Sequence, residues 1–301
     1  MPASEYRDSE YAGQPESAIR FYFGIPLRAR ACAMNWKQVC DNFARTLDSL
    51  ARQTRRDFRV LVSCHDIPEV DTQGLNIRFF QAGFPPPFDE NGRPGNDKHK
   101  KKHRLGLELG KEVGEDVYFM PLDADDLVHP GLVETVLKDD NRVGYLMEQG
   151  LIFNAATGHC RECNPETHPF WRYCGSCAVL YFKKEELPQW KGDKSRYYSC
   201  FLNHKRYSQT AREADRALVP LDTPMAVYVI NHGENDWTVY RQGSDGKTDH
   251  VEKSPIRDSR RLNTLRALYP QLSFSAPGVE AHPLVRRARR GLRGLKHRWQ
   301  K

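Results

Sequence analysis

No apolar run in this chain approaches the roughly 20 residues that a helix needs to cross a bilayer, so a helical membrane span is not its organising element. The first twenty residues are polar and carry acids, without the apolar stretch of a secretory leader. The expectation is therefore a cytoplasmic protein, peripheral at most on the inner face of the plasma membrane. No internal repeat is present, which argues against a solenoid. No glycine-rich phosphate loop follows the first apolar segment, which disfavours a nucleotidyltransferase on a similar sheet. Acids are missing altogether from residues 284–301, where eight Arg or Lys stand. The net charge is +7, and without that tail the rest is close to neutral. A basic excess confined to one end speaks of a surface contact rather than of the fold.

What is present suits a chain with a sizeable core. It has 301 residues, 39% hydrophobic and 28% charged, with a mean hydropathy of −0.72. That allows one large domain or two small ones. Residues 1–19 read as a disordered lead-in. Apolar runs at 21–25, 58–64, 77–80 and 117–122 predict strands. Between them, Trp36, Val39, Cys40, Phe43, Leu47, Leu50 and Ala51 recur at three- and four-residue steps and predict a helix over 36–54. A basic helix is expected over 98–113, and a further helix after Pro130. Strands alternating with helices at this interval predict an α/β fold, with a mixed, mainly parallel sheet flanked by helices. Beyond about 143 the alternation is lost. Segments 144–147 and 151–153 look like hairpin strands, 178–182 and 225–230 like further strands, and 205–218 like a helix.

The strand over 117–122 runs into three carboxylates, Asp123, Asp125 and Asp126. The carboxyl ends of strands are where open α/β sheets hold ligands. Two carboxylates with one residue between them can share a divalent cation, and such a cation commonly also holds substrate phosphates. Asp125 or Asp126 could equally begin the next helix as a cap. The basic run Asp97-Lys98-His99-Lys100-Lys101-Lys102-His103-Arg104 precedes that strand. Lys98, Lys101 and Arg104 fall near one helical face, either as diphosphate contacts or as a solvated charge run. It lacks the interleaved aromatics of a nucleic-acid patch.

Three segments resemble the nucleotide-sugar glycosyltransferases of the GT-A fold, in particular glycosyltransferase family 2. They are Phe23-Gly24-Ile25-Pro26-Leu27-Arg28, then Thr46-Leu47-Asp48-Ser49-Leu50 with Gln53-Thr54, and Phe119-Met120-Pro121-Leu122-Asp123-Ala124-Asp125-Asp126. The likeness covers residues 20–140 well and 141–240 loosely. It implies a Rossmann-like GT-A domain over 20–250, followed by a C-terminal arm over 251–301. It also implies transfer of a sugar from a nucleoside-diphosphate sugar to a saccharide or lipid-linked acceptor, as in bacterial surface polysaccharide synthesis. The implied ion is Mn²⁺ or Mg²⁺, held by Asp123 and Asp125 and completed by His232. Pro26, Arg28, Asp66, Lys101, Arg104 and Asp123 would meet the nucleotide sugar. The family's Glu-Asp pair is absent from the acceptor region. His204 is the nearest candidate base, ahead of Glu213 and Asp215.

Two features lie outside the resemblance. Of eight cysteines, Cys32, Cys40, Cys64 and Cys200 are scattered and expected to be reduced. Cys160 with Cys163, and Cys174 with Cys177, are two Cys-x2-Cys pairs ten residues apart. Such pairs can hold structural Zn²⁺ within an insertion over 158–178, or they can be ordinary small residues at strand ends. In the tail, Leu284, Val285, Ala288, Leu292, Leu295 and Trp299 recur at helical steps among cations. That pattern predicts a basic amphipathic helix, lying on an anionic membrane surface or packed on the domain with its charged face in solvent. The competing function is a basic zinc-ribbon nucleic-acid-binding protein, although nucleic acid is the less expected partner.

Overall fold

The structure, a computed structural model, describes residues 6–8, 20–235 and 246–278. An eight-stranded sheet forms its centre, with strand order β1-β4-β3-β2-β5-β10-β7-β11. These are β1 Tyr6–Asp8, β2 Phe21–Pro26, β3 Phe58–Cys64, β4 Ile77–Gln81, β5 Val117–Pro121, β7 Gly144–Leu146, β10 Ala178–Phe182 and β11 Val219–Pro220. The inner strands β4, β3, β2 and β5 are parallel. β10 runs antiparallel to both β5 and β7. A second sheet of four strands has the order β6-β12-β8-β9, with β6 Leu127–Val128, β8 Leu151–Asn154, β9 Cys160–Glu162 and β12 Ala226–Ile230. The expected mixed α/β sheet is thus present, and it is parallel at its centre.

Every side chain of β5 is buried, as are the first five of β2. A strand covered on both faces reads as a continuous apolar run, which is why these strands stand out in the sequence. Helices α1 Trp36–Ala51, α2 Lys98–Glu112 and α3 Leu132–Asp139 supply the cover. The side chain of Asn35 accepts a hydrogen bond from the Gln38 amide and caps α1. Gly24 lies beneath the Phe119 ring. A Cβ there would fall 2.2 Å from Phe119 Cζ, so only glycine fits.

Several expectations are corrected. Segments 144–147 and 151–153 do not form a hairpin, because β7 belongs to the first sheet and β8 to the second. The helix expected over 205–218 shortens to α4, Tyr207–Glu213. Within the stretch read as a lead-in, Tyr6–Asp8 pair antiparallel with β4. Near the far end lies helix α5, Lys247–Lys253. Helix α6, Ser259–Leu268, buries Leu262 and Leu265 in a second core with Phe153, Cys160 and Val229. The basic helix expected over 283–301 lies outside the described residues. Among the described residues no helix is long and apolar enough to cross a membrane.

Candidate active site

Sheet topology fixes where a ligand can sit. From β2 the chain steps outward through β3 and β4, then returns to β5 on the other side of β2. Connections therefore diverge above the carboxyl ends of β2 and β5, and open α/β sheets bind ligands at such a switch point. A cleft of about 750 Å³ opens there. Pro26, Arg28, Lys98, Asp123, Asp125, His204 and His232 all line it. The sequence singled out each of these residues, and the fold brings them together from five separate segments.

A polar stripe on α1 holds the acidic segment in place. Asn42, Thr46, Ser49 and Gln53 are buried along or just beyond the helix, at steps of three and four. Thr46 Oγ1 donates to the Asp126 carbonyl at 2.9 Å. Ser49 Oγ accepts from the Val128 amide at 3.3 Å. Gln53 donates to the His129 carbonyl at 2.7 Å and accepts from the Val133 amide at 3.0 Å. Backbone that would otherwise be buried without partners is thereby satisfied. The Thr-Leu-Asp-Ser-Leu and Gln-Thr segments are thus clamps on the 126–133 backbone. Asp48, between them, points outward to Arg52.

Asp125 and His232 form a pair, with Asp125 Oδ2 2.8 Å from His232 Nε2. Asn42 Oδ1 accepts from Gln38 and from Arg45, so the Asn42 amide group must donate to His232 Nδ1, at 2.7 Å. The Glu234 amide also donates to Nδ1, at 3.3 Å. His232 Nε2 lies between Asp125 Oδ2 and, at 2.7 Å, the Asn235 amide nitrogen. His232 is thus in hydrogen-bond contact with Asp125, beside the carboxylates with which it was expected to share a metal. Burial pushes the Asp125 carboxyl up, but the His232 hydrogen bond, with Lys98 and Arg28 nearby, holds it below the ordinary carboxylate range.

Asp123 Oδ2 contacts Lys98 Nζ at 2.5 Å, while its Oδ1 is buried without a hydrogen-bond partner. The Asp123 amide donates to Ser176 Oγ at 2.9 Å. A Cβ at Gly175 would lie 3.0 Å from Asp123 Oδ2, so glycine leaves that carboxylate its room. An unsatisfied buried carboxylate oxygen beside a second carboxylate suits a cation. Asp123 and Asp125 therefore fit as metal ligands, although among the described residues no three His, Cys, Asp or Glu side chains are gathered as a ready metal cluster.

Asp126 has a different role. It is fully buried and accepts from Ser176 Oγ at 2.7 Å, Cys174 Sγ at 3.1 Å and the Val229 amide at 3.3 Å. Burial, then the charges of Asp125 and Asp123, raise its carboxyl well above the ordinary range. Asp126 thus ties the 174–176 turn to β12.

Lys101, Arg104 and Asp66 do not line the cleft. Lys101 is turned inward, pairing with Asp97 at 2.9 Å and donating to the Leu27 carbonyl at 2.7 Å. Arg104 pairs with Glu108 and covers the Phe80 ring. Asp66 accepts from the Arg30 amide at 2.9 Å. Lys98, which the resemblance leaves out, is the one that reaches the acidic pair, because α2 begins at the cleft and runs away from it.

His204 lines the cleft with a buried, unpartnered Nε2. Burial, then the charge of Lys102, pulls its pKa down to about 4. The ring is thus neutral at pH 7 but a weaker base than an ordinary histidine. Neither Glu213 nor Asp215 lines the cleft.

The four paired cysteines are not gathered into one thiolate site. Cys174 is hydrogen-bonded to Asp126. Cys160 opens β9 and belongs to the second core, whereas Cys163 and Cys177 belong to the first. Burial raises all four thiols, Cys163 and Cys177 to about 12. The zinc-ribbon expectation is not met.

Glu234 was missed by sequence reasoning. It accepts from the Asn35 amide at 2.5 Å and the Met34 amide at 3.3 Å, and its carbonyl accepts from Arg28 at 3.0 Å. It locks the loop after β12 onto the start of α1. No sequence spacing signals this, since the partners stand about 200 residues apart.

No family model matches the chain, and no curated protein sequence matches it. Solved structures offer distant likenesses. TarS from S. aureus shares 13% identity over 84% of this chain and 44% of its own, with a TM-score of 0.35. A putative nucleotide-diphospho-sugar transferase from Desulfovibrio desulfuricans G20 shares 12% over 84% of this chain and 98% of its own, at 0.34. The apo-form glycosyltransferase GlyE from Streptococcus pneumoniae TIGR4 shares 12% over 87% of this chain and 66% of its own, at 0.34. The chain thus spans less than half the length of TarS. At this distance the likenesses assign no function, and the cleft itself has to carry one.

Proposed function

We propose that the protein is a GT-A-type, family 2-like glycosyltransferase that moves a sugar from a nucleoside-diphosphate sugar to an acceptor hydroxyl. The carrying observation is the acidic pair Asp123 and Asp125 at the switch point, with the orphaned Asp123 Oδ1 and with Arg28 and Lys98 on the same cleft. The cleft volume of about 750 Å³ lies within the range of small-molecule sites.

In the transfer, the acceptor oxygen forms a bond to the anomeric carbon. The bond from that carbon to the diphosphate breaks, and the nucleoside diphosphate leaves with the electron pair. Arg28 and Lys98 are placed to offset its charge. Asp123 and Asp125 would hold a divalent cation, Mn²⁺ or Mg²⁺, which when bound supplies further charge neutralisation. His232 orients Asp125, and Asn42 orients His232. His204 Nε2 would take the acceptor hydroxyl's proton, so that the O–H bond breaks as the new O–C bond forms. The acceptor is a saccharide or a lipid-linked group, and surface polysaccharide synthesis is the proposed setting. Contact of residues 283–301 with an anionic membrane face is part of the proposal, resting on their sequence pattern. Binding to anionic vesicles should weaken when they are deleted, and unchanged binding removes that part.

The test of function is nucleotide binding. UDP or GDP with Mn²⁺ should raise the melting temperature, and Asp125→Ala should abolish the gain. A panel of nucleotide sugars should then yield one that is slowly hydrolysed without acceptor. If no nucleotide stabilises the protein and no donor is cleaved, the proposal fails.

A further inference from the structure

Charge pairing around the cleft is uneven. Each carboxylate on its lining has a partner: Asp97 with Lys101, Asp123 with Lys98, Asp125 with His232, and Glu234 with Arg28. Two cations on the lining, Arg172 and Lys205, have no carboxylate partner among the described residues. They come from two short helical turns, Phe170–Arg172 and His204–Arg206, that pack against one another. Both side chains are exposed. The Arg172 guanidinium rests over the Trp171 ring, which limits its freedom without neutralising it. The same wall carries His204, whose buried Nε2 has no hydrogen-bond partner among the described residues.

Arg28 and Lys98 come from other elements, near the ends of β2 and α2, and are paired with Glu234 and Asp123. Two unpaired cations crowded on one side of a cleft raise the local concentration of anions and favour an anionic ligand there. A planar guanidinium beside an ammonium also matches the oxygens of a phosphate or carboxylate.

We propose that Arg172 and Lys205 form the acceptor subsite, and that it selects an acceptor bearing an anionic group, phosphate or carboxylate, close to its reacting hydroxyl. This rests on the transferase reading for the word acceptor, but the anion site itself can be tested separately.

The experiment is calorimetric titration of the full chain with glycerol, glycerol 3-phosphate and glycerate, with and without saturating UDP or GDP and Mg²⁺. Saturable binding of one or both anions, and none of glycerol, is expected. The double substitution R172Q/K205Q should weaken anion binding about tenfold or more, the scale of one charged hydrogen bond, while nucleotide affinity and melting temperature stay unchanged. Preference for glycerol 3-phosphate or for glycerate identifies the anion class, and either supports the subsite. Equal binding of glycerol and the anions, no anion binding at all, or anion binding that survives the double substitution overturns it. Nucleotide that fails to bind while the anions still bind removes the transferase reading and leaves the anion site standing.

Discussion

His232 Nε2 stands 2.8 Å from Asp125 Oδ2 while its Nδ1 accepts from Asn42 at 2.7 Å. One imidazole thus couples helix α1 to the carboxylate at the end of β5. Substituting His232 by Gln should cut turnover about 100-fold, the scale of a misplaced catalytic group, with little loss of melting temperature. Asn42→Ala should do part of the same. In a double-mutant cycle the two residues should show about 0.5–3 kcal/mol of coupling. Strict additivity in turnover would show that Asn42 does not act through the ring.

Gln53 satisfies the His129 carbonyl and the Val133 amide at once. Gln53→Leu leaves both without that partner. The expected loss is about 1–3 kcal/mol for each group left unsatisfied, read as a lower denaturant midpoint with an unchanged slope. A variant as stable as the parent would mean that water replaces the side chain.

The depressed pKa of His204 makes a pH prediction. In the unfolded chain this ring takes its proton near 6.5, while in the fold it refuses it until about 4. The unfolded state therefore binds more protons across that window, so stability rises with pH from about 4 to 6.5 and falls on acidification through it. His204→Gln should remove this part of the slope. Lys102, nearly buried and depressed to about 8 by burial and by Lys98, contributes to the His204 shift. Lys102→Met should raise the His204 pKa, read from the imidazole resonances by NMR.

Two glycines should respond in opposite ways. Gly24→Ala drives a Cβ into the Phe119 ring, and the expected cost is about 1–3 kcal/mol of stability from overpacking. Gly175→Ala brings a Cβ to 3.0 Å from Asp123 Oδ2. Its expected effect is weaker metal-dependent nucleotide binding at nearly unchanged melting temperature. Equal behaviour of the two variants would argue against a special role for the space beside Asp123.

The inner strands were legible because burial on both faces leaves an unbroken apolar run, as in Val117–Pro121. Helix α1 was legible from its apolar stripe, yet its second stripe, Asn42, Thr46, Ser49 and Gln53, was not read. A buried polar side chain looks like a surface residue until the backbone it satisfies is known. Asp123 and Asp125 were legible because they follow directly on a buried strand. The role of Lys98 over Lys101 was not, since spacing on one helical face does not say which end of the helix meets the cleft. The paired cysteines misled because Cys-x2-Cys spacing is local, whereas Cys160 and Cys174 are drawn to different cores by β9 and by Asp126. Short strands such as β6 and β9 carry too few residues to show a period.

The five residues from Leu122 to Asp126 are the whole of the chain between β5 in one sheet and β6 in the other. An insertion or deletion there would shift the register of two sheets at once and turn the carboxylates away from the cleft. In homologous chains this stretch should keep a constant length, while gaps should collect in the long connection between β4 and α2.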